Sequence, residues 1–331
     1  YRVFYQIMLV NEFLRQSTDE KLASRGQTNP TLITNVHQYR AEARFLRALS
    51  YWHGIDLFGN IPLVTEDDPL GATPPQQAQR ADIYDYVVGE LNAIIPDLPT
   101  GAPADAATYA RATKSAAHML LAKLYLNAGV YTGTPNYAGA VTEAQAVISA
   151  GYVLEPNFRL NFSSDNNTSR ELILVAAQDG GNTQTWGGMT FLIHAGCGGS
   201  MAAGDYGIDY CWGGYRMKQQ IFAIFDTTND SRSAFFHTAG QQVNVVNIGD
   251  YSNGIGAPKF TNKTSTGGNA QQTTMVDTDF PIFRLADAYL IYAEASIRGG
   301  GGTNALTYLN AIRQRAYGNA SANFAALPPV D

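Results

Sequence analysis

The stretch from Thr113 to Tyr152 constrains the fold of this chain more than any other, because it reads as a helical hairpin. Thr113 is placed to cap a helix on which Ala117, Leu121, Leu124 and Ala128 recur at helical spacing, with Gly129 expected as a left-handed stop. A Thr132-Gly133-Thr134-Pro135 turn leads into a second helix that carries Ala140, Ala144, Val147 and Ile148 on one side and ends at Gly151. Small residues (Ala116, Ala117, Ala122, Ala140, Ala144) let two backbones approach closely while larger ones fill the grooves beside them, as in tetratricopeptide-type hairpins. An ordinary antiparallel pair in any all-α domain would use the same residues. The hairpin therefore specifies architecture and leaves function open.

Charge narrows the partners. The 331 residues carry a net charge of -6 with 22 Lys and Arg, and no window concentrates the basic surface that phosphate backbones require, so nucleic acid is not an expected partner. Charged residues make up only 15%, against roughly 25% in ordinary domains. Gly, Tyr, Asn, Thr and Gln supply the polar surface instead, which suits neutral, hydroxyl-rich ligands. No apolar run reaches the ~18 residues of a membrane span, and the sequence opens inside a helical pattern, so a processed or partial chain is expected, with any targeting signal upstream. Cys197 and Cys211 are the only cysteines and have no His or Cys companions at metal-ligand spacing, so no zinc site is expected. They either close a loop, worth roughly 3 kcal/mol, or remain free thiols; spacing leaves both open.

In chain order, Tyr1 to Gln16 is predicted helical, followed by a polar stretch through Asn35 and a helix from His37 to Phe58. On that helix Ala41, Phe45, Leu49, Trp52 and Ile55 form the apolar face, and Arg40, Arg44 and Arg47 are expected on a solvated side. Gly59-Asn60-Ile61-Pro62 stops it. A further helix spans Ala81 to Ile95 with Ile83, Val87, Leu91 and Ile94 inward. Between Glu155 and Asp279 helical periodicity survives only at Arg216 to Phe225, and Glu171 to Ala176 is the one predicted strand. Helical order returns at Phe283 to Arg298 and, after Gly299-Gly302, at Asn304 to Ala316, a second expected hairpin. The predicted fold is mainly α, a single domain over 1–331: a helical scaffold (1–152), an irregular ligand-binding insert (153–279) and a C-terminal hairpin (280–331), the last expected to be truncated.

Four segments carry a resemblance. Tyr39-Arg40-Ala41-Glu42-Ala43-Arg44-Phe45-Leu46-Arg47-Ala48, continuing through Asp56-Leu57-Phe58-Gly59-Asn60-Ile61-Pro62-Leu63-Val64, resembles the first signature of the SusD/RagB family. Ala112 to Leu126 resembles its tetratricopeptide-like hairpin, and Phe280 to Ala295 together with Leu309 to Ala316 resemble its C-terminal pair. The resemblance implies a SusD-like α-α superhelix and a lipid-anchored protein on the outer face of the outer membrane of Bacteroidota. It implies capture of oligo- or polysaccharide, sometimes peptide, for a SusC-like TonB-dependent transporter, with no catalysis and no cofactor. The lipidated N-terminal Cys and the family's C-terminal segment rich in Glu and Arg are not in the sequence.

The matching motifs are expected to be structural: Arg284, Glu294, Arg313 and Arg315 in buried or half-buried pairs, and His118 as a satisfied core histidine. Ligand binding is expected in the insert, at Trp186, Tyr206, Asp209, Tyr210, Trp212, Tyr215 and Arg216. A pyranose stacks its C–H face on an aromatic ring and offers equatorial hydroxyls to planar polar groups, and the Asp205 to Arg216 stretch supplies both. The same aromatics could instead form a satellite core under long loops. Two alternatives remain open. A glycoside hydrolase would need facing carboxylates, for which Asp205 with Asp209 or Asp67 with Asp68 are the candidates. A peptide- or protein-binding tetratricopeptide-like scaffold would leave the aromatic insert without a role.

Overall fold

The computed structural model describes residues 2–69, 71 and 74–329. The helix start expected at Tyr1 lies outside them. The chain forms two compact units: 1–151 with 287–305 and 329–331, and 152–286 with 306–328. The first is built from α1 (Arg2–Gln16), α2 (Asp19–Ser24), α3 (Pro30–Phe58), α4 (Arg80–Ile94), α5 (Lys114–Leu126), α6 (Ala128–Thr132) and α7 (Tyr137–Ile148), with a two-residue ribbon of β1 (Ile61–Pro62) and β2 (Gln77–Ala78).

The hairpin forms for the reasons its sequence suggests. The Thr113 hydroxyl accepts from the Ala116 backbone N–H and starts α5, and Ala117, Leu121, Leu124, Ala140, Ala144 and Val147 are all fully buried where α5 packs on α7. Gly129, expected as the stop, lies inside α6, and the left-handed residue is Gly133, with φ of 83°. The stop falls later because Thr132 still accepts the helical pattern and only Gly133 adopts positive φ without a Cβ penalty. His118 is half-buried, its Nδ1 2.6 Å from Glu143 Oε2 on α7.

Helix α3 differs most from expectation. It begins at Pro30, seven residues before His37, because Asn29 accepts from the N–H groups of Thr31 and Leu32 and Pro30 occupies the first turn. Its arginines are not a solvated row. Arg47 is 2% exposed and pairs with Glu66, with Glu90 at 2.8 Å and with Asn11 at 2.7 Å. Arg44 grips Glu90 at 3.0 and 2.7 Å, and Arg40 donates to the Leu14 carbonyl. Those acids arrive from α4 and from the loop after β1, so no pattern within α3 could reveal them. Burial alone would raise the Glu90 carboxyl; hydrogen bonds from Arg44 and Arg47 outweigh it and hold the group below its ordinary value.

The second unit contains the predicted strand, β3 (Leu172–Ala176), which pairs antiparallel with β4 (Phe280–Arg284), with Leu172 opposite Arg284 and Ala176 opposite Phe280. Phe283 and Arg284, expected in a helix, thus belong to a strand, and α10 (Leu285–Ala295) starts directly after it. Its partner β3 lies over a hundred residues away, which is why the short β4 had no local signal. Helix α8 (Gly188–Ala195) was not expected, and the predicted helix from Arg216 to Phe225 shrinks to α9 (Gln219–Phe222). The expected C-terminal hairpin is divided, since 287–305, with most of α10, belong to the first unit and 306–328, with most of α11 (Ala305–Tyr317), to the second.

Of the four signature residues expected in structural pairs, two share one acid. Arg284 and Arg315 both bond Glu171, which is fully buried and also accepts from the Glu155 N–H and Asn161 Nδ2. Glu294 makes a surface pair with Arg298 one turn away, and Arg313 lies over the Phe324 ring at 4.0 Å. Neither of these is the buried or half-buried pair between helices that was expected.

Candidate functional site

The aromatic residues of the second unit gather because of how α8 ends. The last carbonyls of a helix need donors, and here the loop after Tyr210 supplies them: Trp212 N–H bonds His194 O at 2.9 Å, Gly213 N–H bonds Cys197 O at 2.9 Å, and Gly214 and Tyr215 N–H bond Ala195 O at 2.8 and 3.0 Å. Two glycines make this approach possible. Gly213 has a φ of 64°, and a Cβ there would sit 2.9 Å from the Tyr251 ring, while a Cβ on Gly214 would lie 2.6 Å from that of Ala195. Cys197 and Cys211 form a disulfide across the same junction, with Cα atoms 4.8 Å apart. Of the two states that spacing left open, the linked one is present.

This splint lays Trp212 over His194, with ring centroids 4.6 Å apart and planes 27° from parallel. His194 is wholly buried; its Nδ1 lies 2.9 Å from Tyr210 O and its Nε2 3.1 Å from Thr274 O, and a neutral imidazole donates to one of these two carbonyls. Around Trp212 stand Trp186 at 6.0 Å, Phe191 at 6.3 Å and Tyr210 at 6.4 Å between centroids. Trp186, Phe191 and Tyr210 are exposed, at 58%, 47% and 54%. Four aromatic rings of this kind, three of them open to solvent, present stacking surface that a core would have hidden.

The loop carrying Trp186 is organised by carboxylates. Asp179 accepts from the N–H groups of Gly181 and Asn182, Asp277 accepts from Gly180 N–H at 2.8 Å and Gln271 N–H at 2.9 Å, and Asp279 accepts from Gln178 N–H at 2.7 Å. Hydrogen bonds from Asn182 and from the Gly181 N–H lower the Asp179 carboxyl. A loop held in this way loses less conformational freedom when a ligand stacks on its tip.

The other expected site residues take different places. Asp209 accepts from Thr274 Oγ1 at 2.7 Å beside the cluster and lies 3.7 Å from His194. Tyr206 is half-buried against the satellite core of Met189, Ile193, Met201, Ile208 and Val276, and burial pushes its phenol up. Tyr215 donates to Leu192 O, and burial raises its phenol as well. Arg216 donates to the carbonyls of Ile248, Asp250 and Asn253 and lies over Tyr251 at 4.6 Å, so its guanidinium clamps a loop. Phe191 and His194 were missed; they sit three apart on an eight-residue helix too short for periodicity to reveal. Among the described residues no three His, Cys, Asp or Glu side chains converge as a metal site. Asp68 accepts from Thr65 N–H and Oγ1, the work of a turn residue.

Comparison with known proteins agrees with this architecture. The SusD family model matches residues 239–324, and a model described as starch-binding, associating with outer membrane, matches 2–126. The starch-binding protein SusD of Bacteroides thetaiotaomicron is 32% identical over 95% of this chain and 62% of its own length. A SusD-like protein of Bacteroides ovatus is 28% identical over 83% of this chain and 52% of its own. A laminarin-binding SusD-like protein of known structure superposes with a TM-score of 0.74 at 22% identity, over 97% of this chain and 70% of that one. The chain belongs to the SusD/RagB family, with its mainly helical, tetratricopeptide-like fold. It spans about half to two thirds of the length of these curated relatives.

Proposed function

We propose that this chain is a glycan-capture protein of the outer membrane that binds oligo- or polysaccharide on the ring cluster of Trp186, Phe191, Tyr210 and Trp212 and hands it to a TonB-dependent transporter without cleaving it. The observation that carries this is the exposure of three rings around a fourth that is splinted to α8 and backed by buried His194. Stacking needs rigid faces, and this one is fixed by backbone hydrogen bonds, a disulfide and a buried histidine beneath Trp212. Relatives named for starch and laminarin binding make a neutral glucan the first ligand to try. The description of the matching model as associating with outer membrane supports the location.

Titration of the purified protein with maltohexaose and laminarihexaose, alongside a Trp186→Ala, Trp212→Ala variant, tests this. Each contacting aromatic contributes on the order of 1–2 kcal/mol, so each replacement should weaken binding about tenfold. A double variant that keeps its thermal transition and binds as the parent does would remove the site. Sugar release during the titration would replace capture by hydrolysis. The transporter is tested by co-purification of the membrane-bound protein in mild detergent, where recovery without a channel subunit counts against it.

A further inference from the structure

The second unit has another concavity, of about 360 Å³, lined by Arg159, Ser163, Asp205, Lys263, Thr264 and Ser265 among others. We propose that it binds a sugar unit bearing an anionic substituent, a carboxylate or a sulfate, so that captured polysaccharide is read for charge there and for ring faces at the aromatic cluster. This rests on the glycan-capture reading and adds a substrate class to it.

The walls are a built site. Three separate segments are bonded to one another: Thr261 N–H to Phe162 O at 3.0 Å, Ser164 N–H to Lys263 O at 2.8 Å, and Asn262 N–H to Tyr206 O at 2.9 Å. Asn262, itself fully buried, also donates to Gly207 O and Gln272 O, and Asp165 accepts from both the N–H and the hydroxyl of Ser265. The concavity is therefore held open by hydrogen bonds within the protein.

Its charges keep donors free for a ligand. In this chain of net charge -6, Arg44, Arg47, Arg111, Arg232, Arg284 and Arg315 all pair with carboxylates. Arg159 and Lys263 do not, among the described residues. Arg159 donates once, to Ala234 O at 3.2 Å, and lies over the Phe235 ring, while Lys263 donates to the neutral Asn269 at 2.6 Å. Most of the donors on both groups are left for a ligand. A guanidinium and an ammonium lining one polar hollow suit a carboxylate or sulfate, the guanidinium being able to engage it through two N–H groups. The Asp205 carboxylate makes no hydrogen bond or ion pair among the described residues, and as an acceptor it suits the hydroxyls beside the anionic group. The volume lies at the low end for small-molecule sites, fitting a short stretch of sugar. Asp205 and Trp212 are seven residues apart, at most roughly 25 Å of extended chain. One polymer carrying both kinds of unit could engage both places and gain residence time.

The test is calorimetric titration with hexagalacturonate, a sulfated carrageenan hexasaccharide and maltohexaose, on the parent and on an Arg159→Gln, Lys263→Gln variant. The variant should bind at least one acidic hexasaccharide tenfold or more weakly and maltohexaose unchanged, and the acidic affinity of the parent should fall between 50 and 250 mM salt. Asp205→Asn, removing a negative charge, should strengthen acidic binding, an effect of opposite sign that misfolding would not produce. Equal acidic binding by parent and variant, or none by the parent, overturns the proposal. So does inorganic sulfate that binds as tightly as the sulfated hexasaccharide, which would mean an anion site without sugar recognition. The aromatic cluster is judged separately by loss of maltohexaose binding in the Trp186→Ala, Trp212→Ala variant, so either site can fail alone.

Discussion

The two units solve the same problem of internal order by different means. In the helical unit, apolar residues at helical spacing bury themselves against neighbouring helices, and among the described residues only six polar or charged side chains are buried. In the second unit fourteen are, including Asn161, Asn166, Glu171, His194, Asn253, Asn262 and Asp279. Most of these bond backbone groups of distant segments: Asn166 with Asp279 in both directions, Asn262 with Gly207, Gln272 and Asp277. Irregular backbone cannot satisfy its own N–H and C=O groups, so side chains do it. Such anchors hold loops in place while leaving their outer faces free for a ligand, which periodic helix packing does not require.

The largest effect that tests this contrast is Glu171→Ala. It strands Arg315, nearly buried, and the half-buried Arg284, and should destabilise the protein by about 3–5 kcal/mol in denaturant titration. A loss below about 1 kcal/mol would mean that polar anchoring does not hold the second unit. Leu120→Ala in α5, a fully buried position, should cost about 2–5 kcal/mol, with maltohexaose affinity of the folded protein unchanged. If affinity fell with it, the two units would not be separable in function. Reducing Cys197–Cys211 should lower stability by about 3 kcal/mol and weaken maltohexaose binding, since the bridge spans the splint under Trp212. Unchanged binding after reduction would show that backbone hydrogen bonds suffice.

The smallest effect concerns acid. Glu90 in the helical unit is held below its ordinary value, and so is Asp230 in the second, where burial would raise it but hydrogen bonds from Arg232 outweigh burial. Each carboxylate stabilises the fold fully above its unfolded-state value, near pH 4.5 for Glu90 and 3.8 for Asp230, and that stability is lost as pH falls through the lower folded-state value. Glu90→Gln should therefore flatten the fall in Tm below about pH 4.5. An unaltered Tm profile would mean that the Arg44 and Arg47 contacts contribute equally to both protonation states.

Periodicity within one segment was enough to place α1, α4, α5 and α7 and the buried faces of α4, α5 and α7, because each helix closes its own hydrogen bonds and shows its partner a repeating stripe; in α1 the buried residues are instead Ile7, Val10, Asn11 and Leu14, while Met8 and Phe13 face solvent. It also placed β3, a contiguous apolar run, and the aromatic residues from which a stacking surface would have to be drawn. Tertiary structure decided what those residues do. Arg47 and Arg216 look alike as exposed basic residues in sequence; one is buried between acids from other elements and the other is spent on carbonyls thirty-odd residues away. Phe191 and His194 join the cluster only because the Trp212 loop folds back onto the end of α8. Each of these outcomes depends on a partner far along the chain, and local spacing carries no information about which distant group will arrive.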